Sequence, residues 1–148
     1  MKREELTELI VDAKGRRQIS WESLAQAISR PPAWTVAALL GQHPLSGPEA
    51  LTLVELLGLD EAVIPTLTRV PMRGSLKDPV PTDPTIYRFY EVIQVYGPAI
   101  KELIHEKFGD GIMSAINFSL AVEEKKDPAG DRVVVTMSGK FLPYDWKE

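Results

Sequence analysis

PTDPTIYRFYEVIQVYGPAIKELIHEKFGDGIMSAINF, residues 81–118, contains a predicted long helix and the start of a predicted strand. Asp83 is a residue type that caps helix starts, and Pro84 has the backbone angle suited to the first helical position. The GDG sequence that begins at Gly109 is expected to end the helix. Residues 112–124 then have the composition of a strand. The stretch therefore predicts a helix, a tight turn and a strand in succession.

A second strand is predicted at residues 132–141, after a turn at residues 127–131 with the sequence DPAGD. Val133, Val135 and Met137 occupy alternate positions, which places them on one face of that strand. A hairpin packed on a single helix leaves apolar surface and strand edges uncovered. This part of the chain is therefore expected to form oligomers.

The N-terminal half is expected to contain short helices separated by glycine and proline. Their predicted positions are 4–14, 21–28, 33–40, 48–57 and 61–67. Prolines then punctuate the segment from Arg69 to Pro84, which predicts a stiff linker. The sequence thus predicts an α+β protein in which a helical bundle at residues 1–75 precedes a helix and a β-hairpin at residues 76–148.

The bundle raises the alternative of a DNA-binding regulator. Residues 20–67 resemble the helix-turn-helix domain of phage repressors, with LAQAISRPPAWTVAALLGQ at the two central helices. The candidate recognition helix, residues 33–40, carries no cation, and Arg30 is the only Lys or Arg between residues 19 and 68. DNA-binding domains rely on cations that contact phosphate and on polar side chains that read base edges. We therefore interpret the bundle as a repressor-like packing unit that does not bind nucleic acid.

The composition of the 148 residues excludes several kinds of site and predicts the class of protein. With 44% hydrophobic residues and a net charge of -4, the chain predicts a globular protein without a polycationic surface. The absence of cysteine excludes disulfides and thiolate metal sites, and two histidines are too few for a persuasive zinc site. There is neither a secretory signal pattern nor an apolar run of about 18 residues. These features predict a cytoplasmic, metal-free protein that does not enter a membrane.

Three polar residues in the central stretch are candidates for a site. Arg88 and Glu91 are three residues apart and share one face of the predicted helix. From spacing alone, the favoured interpretation is an exposed ion pair worth a few tenths of a kcal/mol. Ser114 can point toward the same space, although alone it is an ordinary strand serine. His105, late in the helix, is most simply a solvated or interface residue.

Several short sequences give the chain a family resemblance. PTDPT, YRFYE, VYG and HEKFGDGI occur in the central stretch, and GKFLPY ends at Tyr144. Together they closely resemble the corresponding parts of cyanases, also called cyanate hydratases or cyanate lyases. The resemblance extends more loosely across the N-terminal half and covers nearly the whole chain. Arg88, Glu91 and Ser114 fall where cyanases place their catalytic arginine, glutamate and serine.

The resemblance implies a lyase reaction in which cyanate and bicarbonate form a carboxylated carbamate, which releases carbon dioxide and carbamate. Carbamate then decomposes to ammonia and carbon dioxide. It also implies no metal or organic cofactor, with bicarbonate as co-substrate, and a homodecamer of five intertwined dimers with active sites between subunits. Residues 76–148 are then the catalytic and dimerisation domain. Ser75 occupies a position where some cyanases have cysteine, which implies that no thiol is required.

Overall fold

The computed structural model describes residues 1–74, 76 and 78–145, so Ser75 and the tail at residues 146–148 lie outside the described residues. Within the described part, the first half contains α1 (Arg3–Arg17), α2 (Trp21–Ala27), α3 (Pro32–Leu39), α4 (Gly47–Leu57), a 3₁₀ turn (Glu61–Val63) and α5 (Ile64–Thr68). The second half contains α6 (Pro84–Phe108), β1 (Gly111–Lys125) and β2 (Arg132–Pro143). The predicted α+β class is confirmed.

The chain forms two compact units. The first combines Met1–Ser75 with Ala121–Val134, and the second combines Leu76–Leu120 with Val135–Glu148. The helical bundle lies in the first unit, and α6 lies in the second with the adjoining part of the hairpin. The division into functional domains at residues 1–75 and 76–148 stays a prediction.

Local capping signals define the helices of the bundle. The Ser20 hydroxyl accepts a hydrogen bond from the Ser23 N–H at 3.0 Å, which satisfies a free backbone donor at the start of α2. Ser46 and Glu49 form a reciprocal capping box at the start of α4. Gly58 ends that helix in the left-handed conformation, with φ of 62°. Residues close in sequence therefore set these helix ends.

The apolar faces of these helices enclose one core. Its largest fully buried apolar side chains are Leu6, Ile10, Leu24, Leu39, Leu53, Val54 and Leu67. Within α3, Ala38 and Leu39 are fully buried and Trp34 packs against the core. The predicted recognition helix thus uses its apolar residues to hold the bundle together.

Arg3 joins three helices of the bundle. Its guanidinium donates hydrogen bonds to the carbonyl oxygens of Ala38 at 2.5 Å and Thr66 at 3.1 Å, near the ends of α3 and α5. Burial lowers the pKa of the Arg3 guanidinium below its usual value. A cation that donates to carbonyls at helix C-termini also complements the negative end of each helix dipole.

Replacing Arg3 by alanine is expected to lower the free energy of unfolding by about 1.5 to 3 kcal/mol, since hydrogen bonds from charged donors carry that range. Denaturant unfolding, followed by far-UV circular dichroism at fixed protein concentration, measures the change. Arg16→Ala is the matched control, because Arg16 is an exposed cation of the same helix. Equal losses in both variants would contradict the proposed contribution of Arg3.

The start and end of α6 agree with the sequence prediction. Asp83 Oδ1 accepts hydrogen bonds from the N–H groups of Thr85 at 2.9 Å and Ile86 at 3.0 Å, and Pro84 follows the cap. Gly109 ends the helix with φ of 86°. Although α6 has 25 residues, neither it nor any other helix of the described residues is long and apolar enough to cross a membrane.

The hairpin joins β1 and β2 through a turn in which the Gly130 N–H donates to the Asp127 carbonyl at 3.0 Å. At its other end, the Tyr144 N–H donates to the Asp110 carbonyl at 3.2 Å. The strands are tied at both ends, yet β1 has 15 residues and β2 has 12. Extra residues on one strand of an antiparallel pair are typical of β-bulges. The excess therefore indicates an irregular register within β1.

Candidate active site

Arg88 and Glu91 form the ion pair that their spacing predicts. Arg88 Nη1 lies 3.2 Å from Glu91 Oε2, one turn into α6. Their side chains are 66% and 52% exposed in the single chain. Such an exposed pair contributes at most about 1 kcal/mol to stability. The pair restrains the guanidinium, and among the described residues its remaining N–H groups form no hydrogen bond, so they can bind a ligand.

Ser114 has a different environment, because it is only 5% exposed. Its Oγ accepts hydrogen bonds from the N–H groups of Ile116 at 3.1 Å and Asn117 at 3.0 Å. A hydroxyl has two acceptor lone pairs and one donor hydrogen. Both acceptor positions are occupied, and among the described residues the hydroxyl donates to no protein group, so its O–H donor remains for a ligand. Ser114 is thus suited to hydrogen-bond an anion.

A single chain brings two of the three predicted site residues together. Arg88 and Glu91 contact each other, whereas within the described residues no hydrogen bond joins Ser114 to either of them. All three belong to the second unit. His105, which we did not predict to be catalytic, lies with its Nδ1 3.3 Å from Lys101 Nζ of the same helix.

Sequence reasoning missed Gly139 of β2, which lies directly against Ser114. A Cβ atom on Gly139 would collide with the Ser114 carbonyl oxygen. The available signal was a glycine in the interior of a predicted strand, which often marks a bulge or a close backbone approach.

The predicted site residues belong neither to a metal-binding cluster nor to the groove found in the first unit. Within residues 1–74, 76 and 78–145, no three histidine, aspartate or glutamate side chains are placed together to hold a metal ion. An open groove in the first unit is lined by residues of the connection between α1 and α2, which include Gln18, by residues of α2, which include Ser23, and by Leu56 of α4. None of the three candidate residues lines this groove.

Comparison with known proteins connects this arrangement to a family. Residues 3–71 match the profile described as "Cyanate hydratase, N-terminal", and residues 78–146 match the "Cyanate lyase C-terminal domain". The cyanate hydratase of Mycolicibacterium vanbaalenii is 66% identical over 146 residues, which cover 99% of this chain and 95% of that protein. The cyanate hydratase of Thiobacillus denitrificans is 54% identical over 144 residues, covering 97% of this chain and 98% of that protein.

A solved structure shows the same fold. The crystal structure of cyanase from T. urticae superposes with a TM-score of 0.82 at 35% sequence identity, and the match covers 94% of this chain and 97% of that one. Both family profiles, the full-length relatives and the fold agree with the sequence resemblance. The chain belongs to the cyanate hydratase family, the lyases also called cyanases.

Proposed function

We propose that this protein decomposes cyanate in a bicarbonate-dependent reaction. Cyanate and bicarbonate form a carboxylated carbamate dianion, which takes up a proton and releases carbon dioxide and carbamate. Carbamate takes up a second proton and decomposes to ammonia and carbon dioxide. Membership of the cyanate hydratase family over the full chain carries the proposal. Arg88, Glu91 and Ser114 are the proposed catalytic residues.

The chemical task is to hold two small anions in contact. Arg88 presents a planar fork of N–H donors that matches a carboxylate-shaped anion, and it is the proposed ligand for bicarbonate or the developing dianion. Ser114 contributes its O–H, because its lone pairs already accept two backbone hydrogen bonds. Fixed positioning of two reactants can supply about 7 to 11 kcal/mol of barrier reduction. Donors held in place add to this where charge develops.

Glu91 has a supporting role in this proposal. A free carboxylate beside an anion site is unfavourable, but Glu91 is paired with Arg88 at 3.2 Å. It thereby orients the guanidinium toward the substrates. We also assign to it the relay of a proton toward the cyanate nitrogen, since the reaction consumes protons.

The proposed sites lie between subunits of a homo-oligomer. No residue of α6 is buried in the single chain. Many large apolar residues of this helix are each more than one third exposed. They are Ile86, Phe89, Val92, Ile93, Val95, Tyr96, Ile100 and Leu103. An apolar surface of this extent favours burial against other subunits. The decamer of five dimers rests on the family resemblance.

The remaining parts of the proposal concern cofactors and location. The reaction as proposed uses donors of the chain itself and bicarbonate as co-substrate, with no metal or organic cofactor. The proposed partners are the two small anions and further copies of the chain. A membrane is not among them. We place the protein in the cytoplasm.

The alternative of a helix-turn-helix regulator is not favoured. Arg30, the only Lys or Arg between residues 19 and 68, has its Nε 2.6 Å from Glu49 Oε1 and its guanidinium carbon 4.6 Å from the centre of the Trp34 ring. The Trp34 ring in turn stacks on His43, with 5.6 Å between ring centres. The cation that DNA binding would need therefore has partners within the bundle.

Ammonia release from cyanate, measured with and without bicarbonate, tests the proposed function. We expect release that saturates with bicarbonate, yields two carbon dioxide molecules per ammonia and survives dialysis against a chelator. Arg88→Ala is the control for the site. Absent or bicarbonate-independent release refutes the proposal, and a DNA gel shift at physiological salt would instead favour the regulator.

A further inference from the structure

Residue 139 is glycine because a side chain there would collide with its neighbours. The backbone conformation of Gly139 does not itself require glycine. Its φ lies outside the left-handed region that favours glycine. A Cβ atom built there would fall against the Ser114 carbonyl oxygen and lie 2.5 Å from Met113 Cγ and 3.3 Å from Phe118 Cδ2. Heavy atoms of other residues essentially never lie within 3.0 Å of a real Cβ atom. The backbone of β1 can therefore take its observed position at Ser114 only because residue 139 has no side chain.

Hydrogen bonds within β1 also constrain Ser114. The N–H groups of Ile116 and Asn117 donate to its Oγ, in the strand that is longer than its partner. These N–H groups bind a side chain of their own strand, as expected where a bulge interrupts regular pairing. Two constraints thus meet at one residue. The approach to Gly139 sets the position of the Ser114 backbone, and the two N–H groups set the direction of its hydroxyl.

We propose that Gly139 is a positioning residue for Ser114, whose close approach keeps the Ser114 hydroxyl directed at the substrate anions. This inference rests on the proposed function. A methyl group at residue 139 forces the Ser114 carbonyl away and lengthens the hydrogen bonds that Ile116 and Asn117 donate to Oγ. A misplacement of about 1 Å can cost roughly 100-fold in rate. Gly139 acts through Ser114 and does not itself contact substrate.

The first test is a double-mutant cycle on cyanate decomposition. We expect Gly139→Ala to lower kcat about 100-fold, in line with that misplacement, with a smaller change in KM. If Gly139 acts through Ser114, adding Gly139→Ala to Ser114→Ala produces little further loss. Independent, multiplicative losses overturn the proposal, and so does wild-type kcat in Gly139→Ala.

Gly111→Ala is the matched control for strain in the hairpin. A Cβ on Gly111 would meet the Leu142 carbonyl and lie 2.5 Å from Phe141 Cζ, so the same methyl group creates a similar collision without contacting Ser114. Any activity loss in Gly111→Ala is expected to multiply with that of Ser114→Ala. Size-exclusion chromatography and thermal unfolding of all variants check assembly and folding. Failure of Gly139→Ala alone to fold overturns the proposal, because the glycine then has a general structural role.

Amide hydrogen exchange gives a second readout that does not depend on activity. Ser114 Oγ accepts from the Ile116 and Asn117 amides, so Gly139→Ala is expected to accelerate exchange in peptides that cover residues 115–118. Gly111→Ala is expected to leave those amides more protected than Gly139→Ala does. Unchanged exchange in Gly139→Ala contradicts the inference even if the wild-type chain shows no cyanate decomposition. The absence of cyanate decomposition by the wild-type chain would by itself refute only the proposed function.

Discussion

Arg88→Ala is expected to lower kcat/KM for cyanate decomposition about 1000-fold, because removing one preorganised donor at a site of developing charge costs roughly 100- to 1000-fold. Folding is expected to be preserved. The side chain is 66% exposed, and its ion pair with Glu91 is of a kind that contributes little to stability. Ammonia release measures the first effect, and thermal unfolding at matched concentration measures the second.

Arg88→Lys separates charge from geometry. Lysine keeps the positive charge but loses the planar fork of donors, so we expect most of the alanine defect to remain. Lys101→Ala is the control, because Lys101 is an exposed cation of the same helix. If lysine at position 88 restores wild-type kcat/KM, Arg88 supplies only charge and its proposed bidentate role is wrong.

Glu91→Gln completes this series. Glutamine keeps an oxygen acceptor for the Arg88 guanidinium but has no titratable carboxyl group. We expect a lower kcat and a changed apparent affinity for bicarbonate. Full activity with unaltered anion affinity would falsify both roles assigned to Glu91, the orientation of Arg88 and the proton relay.

Subunit mixing is expected to recover activity from two inactive variants. If a site takes Arg88 from one subunit and Ser114 from its neighbour, a pair formed by Arg88→Ala and Ser114→Ala chains contains one site in which both residues are intact. Random pairing of equal amounts then yields up to about a quarter of wild-type activity. If both residues come from one chain, every site in the mixture lacks one of them.

The mixing experiment requires joint unfolding and refolding of the two variants. Each variant refolded alone is the control, and wild-type protein treated in the same way sets the scale. Activity no greater than the sum of the two variants places Arg88 and Ser114 of each site on one chain. An active isolated monomer would also contradict a site between subunits.

Many element boundaries of this protein follow from local sequence. Asp83, Pro84 and Gly109 predict the start and end of α6, because caps act on backbone groups within one turn. The hairpin turn and the Ser20 cap follow in the same way. The Arg88–Glu91 contact was also predictable, since residues three apart on a helix are neighbours in any fold.

The environment of Ser114 was not predictable from these rules. Regular alternation gives each strand residue a face, but it does not predict a hydroxyl that captures two N–H groups of its own strand. Nor does it predict that Gly139, 25 positions further along the chain, lies against the Ser114 carbonyl. Register between strands depends on long-range pairing and on bulges, which local propensity does not encode.

By itself, the sequence determined the family, the α+β class, the limits of α6 and the pairing of Arg88 with Glu91. These properties follow from motifs, or from interactions between residues a few positions apart. Only the tertiary structure decided that Ser114 is buried with its lone pairs occupied, and that β1 can approach β2 there because residue 139 is glycine. The physical reason is that close packing between strands is set by where distant segments meet in space.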